Sequence, residues 1–87
     1  MFVIVSYDVD AKRVGKVHKV LKKYLQWTQN SVFEGEITEG KLKQCMAEII
    51  PKINTKSDSV YVYRVANPRN IQKIVYGTEK DFESMFL

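Results

Sequence analysis

A chain of 87 residues with a formal net charge of +4, from 14 Lys/Arg against 10 Asp/Glu, has room for one domain. Its single cysteine, Cys45, excludes a disulfide framework, and with only one histidine beside it a structural zinc site is excluded too. No stretch reaches the ~20 apolar residues needed to span a bilayer, and the N-terminal apolar run is short and lacks the basic flank of a secretory signal. The expectation is a cytoplasmic protein with no membrane contact.

A domain this small buries only about 60% of its unfolded surface, so association with a second copy would add needed stability. The basic balance favours polyanionic partners, but only weakly until the charges are located.

Residues 2–7, FVIVSY, form a β-branched and aromatic run that reads as a strand buried on both faces. The run ends in Asp8 and Asp10, two carboxylates placed where the strand leaves the core. Asp10 precedes AKRVGKVHKVLKKYL, a helical pattern, and suits an N-cap because its carboxylate accepts hydrogen bonds from the free N–H groups of the first turn. At about 100° per residue, Val17, Val20, Leu21 and Tyr24 share one face, flanked by Val14 and Leu25, and Lys12, Lys16, Lys19 and Lys23 form a stripe opposite. Arg13 lies in the first turn at the edge of the apolar face, close to the strand end. His18 sits at the rim of the apolar stripe with no Cys or Asp at catalytic spacing, and reads as structural.

WTQNSVFEGEI reads as two short strands, near 27–30 and 32–37, with Asn30-Ser31 as the turn and Gly35 as a bulge or close approach. Ser31 lacks a local base and suits a turn hydrogen bond; Phe33 belongs to the core or an interface. Thr38 can cap a second helix, in which Leu42, Cys45, Met46, Ile49 and Ile50 keep an i, i+3, i+4, i+7 spacing. Cys45 is then a small buried hydrophobe. Pro51 ends the helix, since its ring cannot continue the hydrogen-bond ladder. After the polar linker NTKSD, SVYVYRV alternates as a strand, Asn67-Pro68 marks a turn, and KIVYG reads as a further short strand.

The order β-α-β-β-α-β, with two helices on one face of an antiparallel sheet, is an α+β, ferredoxin-like arrangement with an extra C-terminal strand. Residues 1–87 make a single domain. The tail DFESMFL carries Phe82, Met85, Phe86 and Leu87, too apolar to stand in water, and chain ends fray unless they dock. Two helices leave one sheet face bare, so the segment from about 78 to 87 is expected to pack on the partner protomer of a homodimer; the alternative is a tail folded onto its own domain.

Three motifs now carry a resemblance: the strand ending SYDV with basic residues in the following helix, QNSVFEGEIT, and DSVYVYRV. Together they cover nearly the whole chain, and it resembles the small Cas-two proteins of CRISPR adaptation modules, which work with the Cas-one integrase when new spacers are acquired. The resemblance implies a ferredoxin-like symmetric dimer whose extra strand adds to the partner's sheet. It implies a metal-dependent endonuclease acting on RNA or DNA, with Asp8 as the metal-binding and catalytic position. It also implies a scaffold role, the dimer sitting between Cas-one dimers and supporting a DNA duplex. Leu25 and Trp27 depart from the pattern, standing where many members carry Gly and Arg, which removes one phosphate contact.

One carboxylate is a poor site for a hydrolytic metal. In a two-fold dimer, two Asp8 side chains could share one Mg²⁺, or another divalent cation, with water completing the octahedron. Such a metal lowers the pKa of a bound water and offsets charge on the scissile phosphate. The plain alternative is that Asp8 merely ends a strand. Lys12, Arg13, Lys16 and Lys19 are the candidate nucleic-acid-binding residues, through salt-sensitive phosphate contacts; Arg13 could instead pair with Asp8 or Asp10, and the lysines could be a solvated face. Two other functions stay open beside the nuclease: a catalytically silent DNA-binding scaffold, and a toxin-type ribonuclease of the same fold.

Overall fold

The computed structural model describes residues 1–78. Strand β1 (Phe2–Asp8) leads into helix α1 (Ala11–Tyr24), then the hairpin β2 (Gln26–Gln29) and β3 (Val32–Glu36), helix α2 (Glu39–Ile49) and strand β4 (Ser59–Val65). Short 3₁₀ turns occupy Ile50–Lys52 and Pro68–Asn70.

The helix caps and the hairpin turn expected from the sequence have physical counterparts. Asp10 caps α1, its carboxylate accepting from the Lys12 N–H, and Thr38 caps α2 by accepting from the Lys41 N–H. The β2–β3 turn passes through Asn30 at φ 34°, a left-handed conformation that Asn tolerates better than most residues. Helix α2 stops at Ile49, and Pro51 sits in the 3₁₀ turn that follows.

The four strands lie in the order β2-β3-β1-β4, every neighbouring pair antiparallel. Each helical crossover therefore skips one strand, as the ferredoxin-like arrangement requires, and the two helices pack against each other over one sheet face. Val3, Val5 and Tyr7 of β1 meet Val17, Val20 and Leu21 of α1 and Leu42, Cys45 and Ile49 of α2 in a single core. One row of paired residues, Trp27, Phe33, Val5 and Val62, crosses all four strands, with Phe33 fully buried at its centre.

Gly35 marks a close approach and not a bulge. Its φ is 154°, and an added Cβ would lie 3.4 Å from Cδ2 of Leu25, the buried residue where the chain turns from α1 into β2. The irregularity in the ladder falls instead between Trp27 and Gln29.

Three expectations are corrected. Strand β1 is not buried on both faces: Val3, Val5 and Tyr7 are buried, Phe2, Ile4 and Ser6 are half-buried, and Asp8 is exposed. The reason is that both helices cover the same side, leaving Ile4 beside Tyr63 and Ser6 beside Tyr61, two tyrosines that are more than half exposed. Ile50 is 55% exposed, because it lies beyond the last turn of α2. Within KIVYG no strand forms: Lys73–Val75 are irregular and Tyr76-Gly77 form a bend. A strand needs a ladder partner, and this segment instead flanks a groove of ≈ 650 Å³ over the open sheet face, lined by Ile4, Trp27, Val32, Ile74 and Val75, with Lys73 paired to Glu34 at 2.9 Å. Residues 79–87, the bulk of the segment expected to pack on a partner, lie outside the described residues.

Candidate functional site

Strand β1 alternates, so Tyr7 and Asp8 point to opposite faces. Tyr7 is in the core, its amide donating to the Ser31 carbonyl at 3.1 Å; burial raises its phenol pKa against a smaller opposing effect of the Ser31 side chain. Asp8, the last residue of the strand, stands opposite Ser59 at the start of β4 and is exposed. Two residues later the chain is already committed to α1, because the Asp10 carbonyl accepts from Arg13 and Val14.

The group that organises this corner is Asp58, which the sequence reading left inside a polar linker. It is the single buried charged residue among those described. Its Oδ1 accepts from the Asp10 N–H and the Arg13 Nη2, both at 3.0 Å, and its Oδ2 accepts from Arg13 Nε at 2.6 Å and the Asn54 N–H at 2.9 Å. Four donors fill the acceptor capacity of one carboxylate. The Arg13 hydrogen bonds, followed by that from the Asn54 amide, hold its carboxyl far below the usual carboxylate range. The same contact raises the Arg13 pKa further.

The structure thus assigns Arg13 a partner the sequence did not: Asp58, not Asp8 or Asp10. The guanidinium makes a fork to the carboxylate, which fixes it far more firmly than a surface ion pair. Lys12, Lys16 and Lys19 are exposed on the outer face of α1. Lys23, at the end of the same stripe, pairs with Glu48, which also accepts from the Tyr24 hydroxyl; this contact with Glu48 pushes the Tyr24 pKa up to about 12. So the stripe keeps its open lysines towards the strand end that carries Asp8.

His18 is enclosed by rings. Trp27 and Phe33 meet it edge to face, with centroids 4.4 and 5.1 Å away, and the Tyr7 hydroxyl lies 3.5 Å from its Nδ1. The Trp27 indole donates to the Asn30 carbonyl at 2.9 Å and packs on the core. Cys45 is fully buried and its thiol pKa is pushed to about 11, chiefly by desolvation. Neither His18 nor Cys45 faces Asp8's side of the sheet as a ligand.

Among the described residues no three His, Cys, Asp or Glu side chains gather as a metal site. One exposed carboxylate per protomer nevertheless fits Mg²⁺, which takes one or two carboxylates and fills its octahedron with waters and phosphate oxygens. It does not fit a cation that needs a full protein cage. Asp8 is the residue that would hold it. No helix among the described residues is long and apolar enough to cross a membrane.

Comparison with known proteins agrees with this architecture. The family model for CRISPR associated protein Cas2 matches residues 1–73. A protein of Thermodesulfovibrio yellowstonii named CRISPR-associated endoribonuclease Cas2 3 is 51% identical over 86 residues, covering 99% of this chain and 98% of that protein. Among solved structures, one described as the crystal structure of Cas2 superposes with a TM-score of 0.82 at 42% identity, covering 92% of this chain and 90% of the other. Cas2 of Streptococcus pyogenes gives 0.74 at 31% identity, covering 86% and 100%. On these matches, over nearly its full length, the chain belongs to the CRISPR associated protein Cas2 family.

Proposed function

We propose that this protein is a homodimeric, divalent-metal-dependent endonuclease of the CRISPR adaptation module that also binds duplex DNA as a scaffold for the Cas-one integrase. The observation that carries the nuclease reading is the exposed Asp8 carboxylate at the end of β1, in a chain of the Cas2 family. Relatives named endoribonucleases make RNA the first substrate to test.

Two copies related by a two-fold axis would bring two Asp8 side chains to one Mg²⁺. When bound, the ion would supply Lewis acidity and an ionised water for phosphodiester hydrolysis. Lys12, Lys16 and Lys19 supply positive charge along the approach of the phosphate backbone. The bare sheet face, with Ile4, Tyr61 and Tyr63, is the surface that the second copy would cover, with the C-terminal segment.

The scaffold-only reading has its own support: each protomer offers a single carboxylate, whereas the lysine face is available without any metal. Cleavage of labelled single-stranded RNA and duplex DNA by wild type and Asp8→Ala, in Mg²⁺ and in EDTA, separates the two. The nuclease reading requires cutting by wild type in Mg²⁺ that vanishes with the mutation and with EDTA. Duplex binding with no cutting by wild type would leave the scaffold reading alone.

A further inference from the structure

From the geometry around Asp58, we infer that Asp58 and Arg13 form a clamp that positions Asp8, and that Arg13 serves the reaction through this clamp and not as a phosphate ligand. The inference rests on the catalytic reading of Asp8 proposed above.

The clamp joins three parts of the chain. Asp58 stands directly before β4, whose first residue, Ser59, is paired with Asp8. Through Oδ1 it also holds the Asp10 amide, two residues beyond Asp8. Arg13, in the first turn of α1, closes the third side with two hydrogen bonds, and the Asn54 amide anchors the carboxylate to the α2–β4 connection. Asp8 is therefore bracketed on the strand side by the β1–β4 ladder and on the helix side by the Asp10–Asp58 bond. An exposed residue at a strand end would otherwise sit on a free turn. The segment carrying Asp8 to α1 is only Val9 and Asp10, so fixing Asp10 leaves the Asp8 backbone little freedom.

Burial makes the arrangement demanding. The Asp58 side chain is 2% exposed, against 30% for Arg13. A buried carboxylate must keep its partners, because an uncompensated buried charge is strongly destabilising. The Arg13 Nε and Nη2 donors are taken up by Asp58. Lysine in place of Arg13 would keep the charge but lose the fork. Loss of the fork would hurt either role, so the split between kcat and KM and the salt dependence of binding tell a clamp from a phosphate contact.

The test is steady-state RNA cleavage by wild-type protein, Arg13→Lys, Asp58→Asn and the double variant, with thermal melts on each and Asp8→Ala as the inactive reference. Positioning predicts that each single variant lowers kcat about tenfold to a hundredfold while KM stays within about twofold, and that the double variant is no worse than the weaker single, as expected for residues acting as one unit. It also predicts that the salt dependence of RNA binding is unchanged in Arg13→Lys and in Arg13→Gln. Should Asp58→Asn fail to fold, the kcat of Arg13→Lys decides alone. A raised KM with unchanged kcat, additive effects, or a salt slope reduced in Arg13→Gln would overturn the clamp and make Arg13 a phosphate contact. Absence of cleavage by wild type is a separate outcome, removing the catalytic reading of Asp8 and the positioning role with it.

Discussion

The His18 imidazole meets the Trp27 indole edge to face, 4.4 Å between centroids and 88° between planes. This contact joins the middle of α1 to the edge strand β2, and Phe33 completes the enclosure from β3. Aromatic pairs in this geometry contribute about 0.5–1.5 kcal/mol beyond the area they bury.

The enclosure makes stability depend on pH. Desolvation, and secondarily the charge of Lys22 one turn along α1, lower the His18 pKa below its ordinary 6.5; Tyr7, on β1, is the other titratable group beside it, through its neutral hydroxyl. The unfolded chain therefore binds a proton more readily than the folded one. Stability from this residue is fully present above pH 6.5 and is lost as pH falls from 6.5 through the lowered folded value. Urea midpoints measured from pH 7.5 down to 5 should fall over that window in wild type, and fall less in His18→Gln.

Gly35 is the position where a methyl group should do harm. At φ 154° an L-residue is strained, although its Cβ would meet Leu25 at 3.4 Å, an ordinary van der Waals contact. Gly35→Ala should cost more than about 1 kcal/mol, read as a lower urea midpoint with an unchanged m-value. Because the loss comes from φ and not from a clash, adding Leu25→Ala to Gly35→Ala should recover none of it.

On α1, Lys12, Lys16 and Lys19 share an open face, whereas Lys23 is occupied by Glu48. If the open lysines meet phosphates, changing all three to Ala should flatten the salt dependence of duplex binding by about one unit of slope per lysine. Filter binding between 50 and 200 mM salt, on the order of the range over which such contacts weaken, measures it. An unchanged slope would move the nucleic-acid interface off this helix.

How legible all this was in the sequence divides along physical lines. Helix α1, its Asp10 cap, the Thr38 cap and the β2–β3 turn are set by neighbours within a few residues, and periodicity together with capping chemistry exposes them. Strand β1 was visible as a strand, but its half-covered state was not, since that depends on both crossovers lying on one side. KIVYG has strand composition, but among the described residues of one chain it has no ladder partner, so composition alone does not make it a strand. Asp58 stayed hidden because its partners, Asp10 and Arg13, are 48 and 45 residues away. One signal did point to it: Asp58 opens the DSVYVYRV motif, immediately before the strand that pairs with β1. Asp8 is proposed from its place at a strand end together with the family resemblance, and the structure shows that it is exposed.

Asp8→Cys tests most directly whether Asp8 holds the metal. Mg²⁺ takes hard oxygen ligands, whereas a thiolate prefers softer ions. Cys45 stays out of the readout, being fully buried with its pKa pushed to about 11. The account predicts that Asp8→Cys cuts RNA poorly in Mg²⁺ and regains cutting when Mn²⁺ or Cd²⁺ replaces it, while wild type keeps its Mg²⁺ activity. Full Mg²⁺-dependent cutting by Asp8→Cys, or cutting by wild type that survives EDTA, would contradict it.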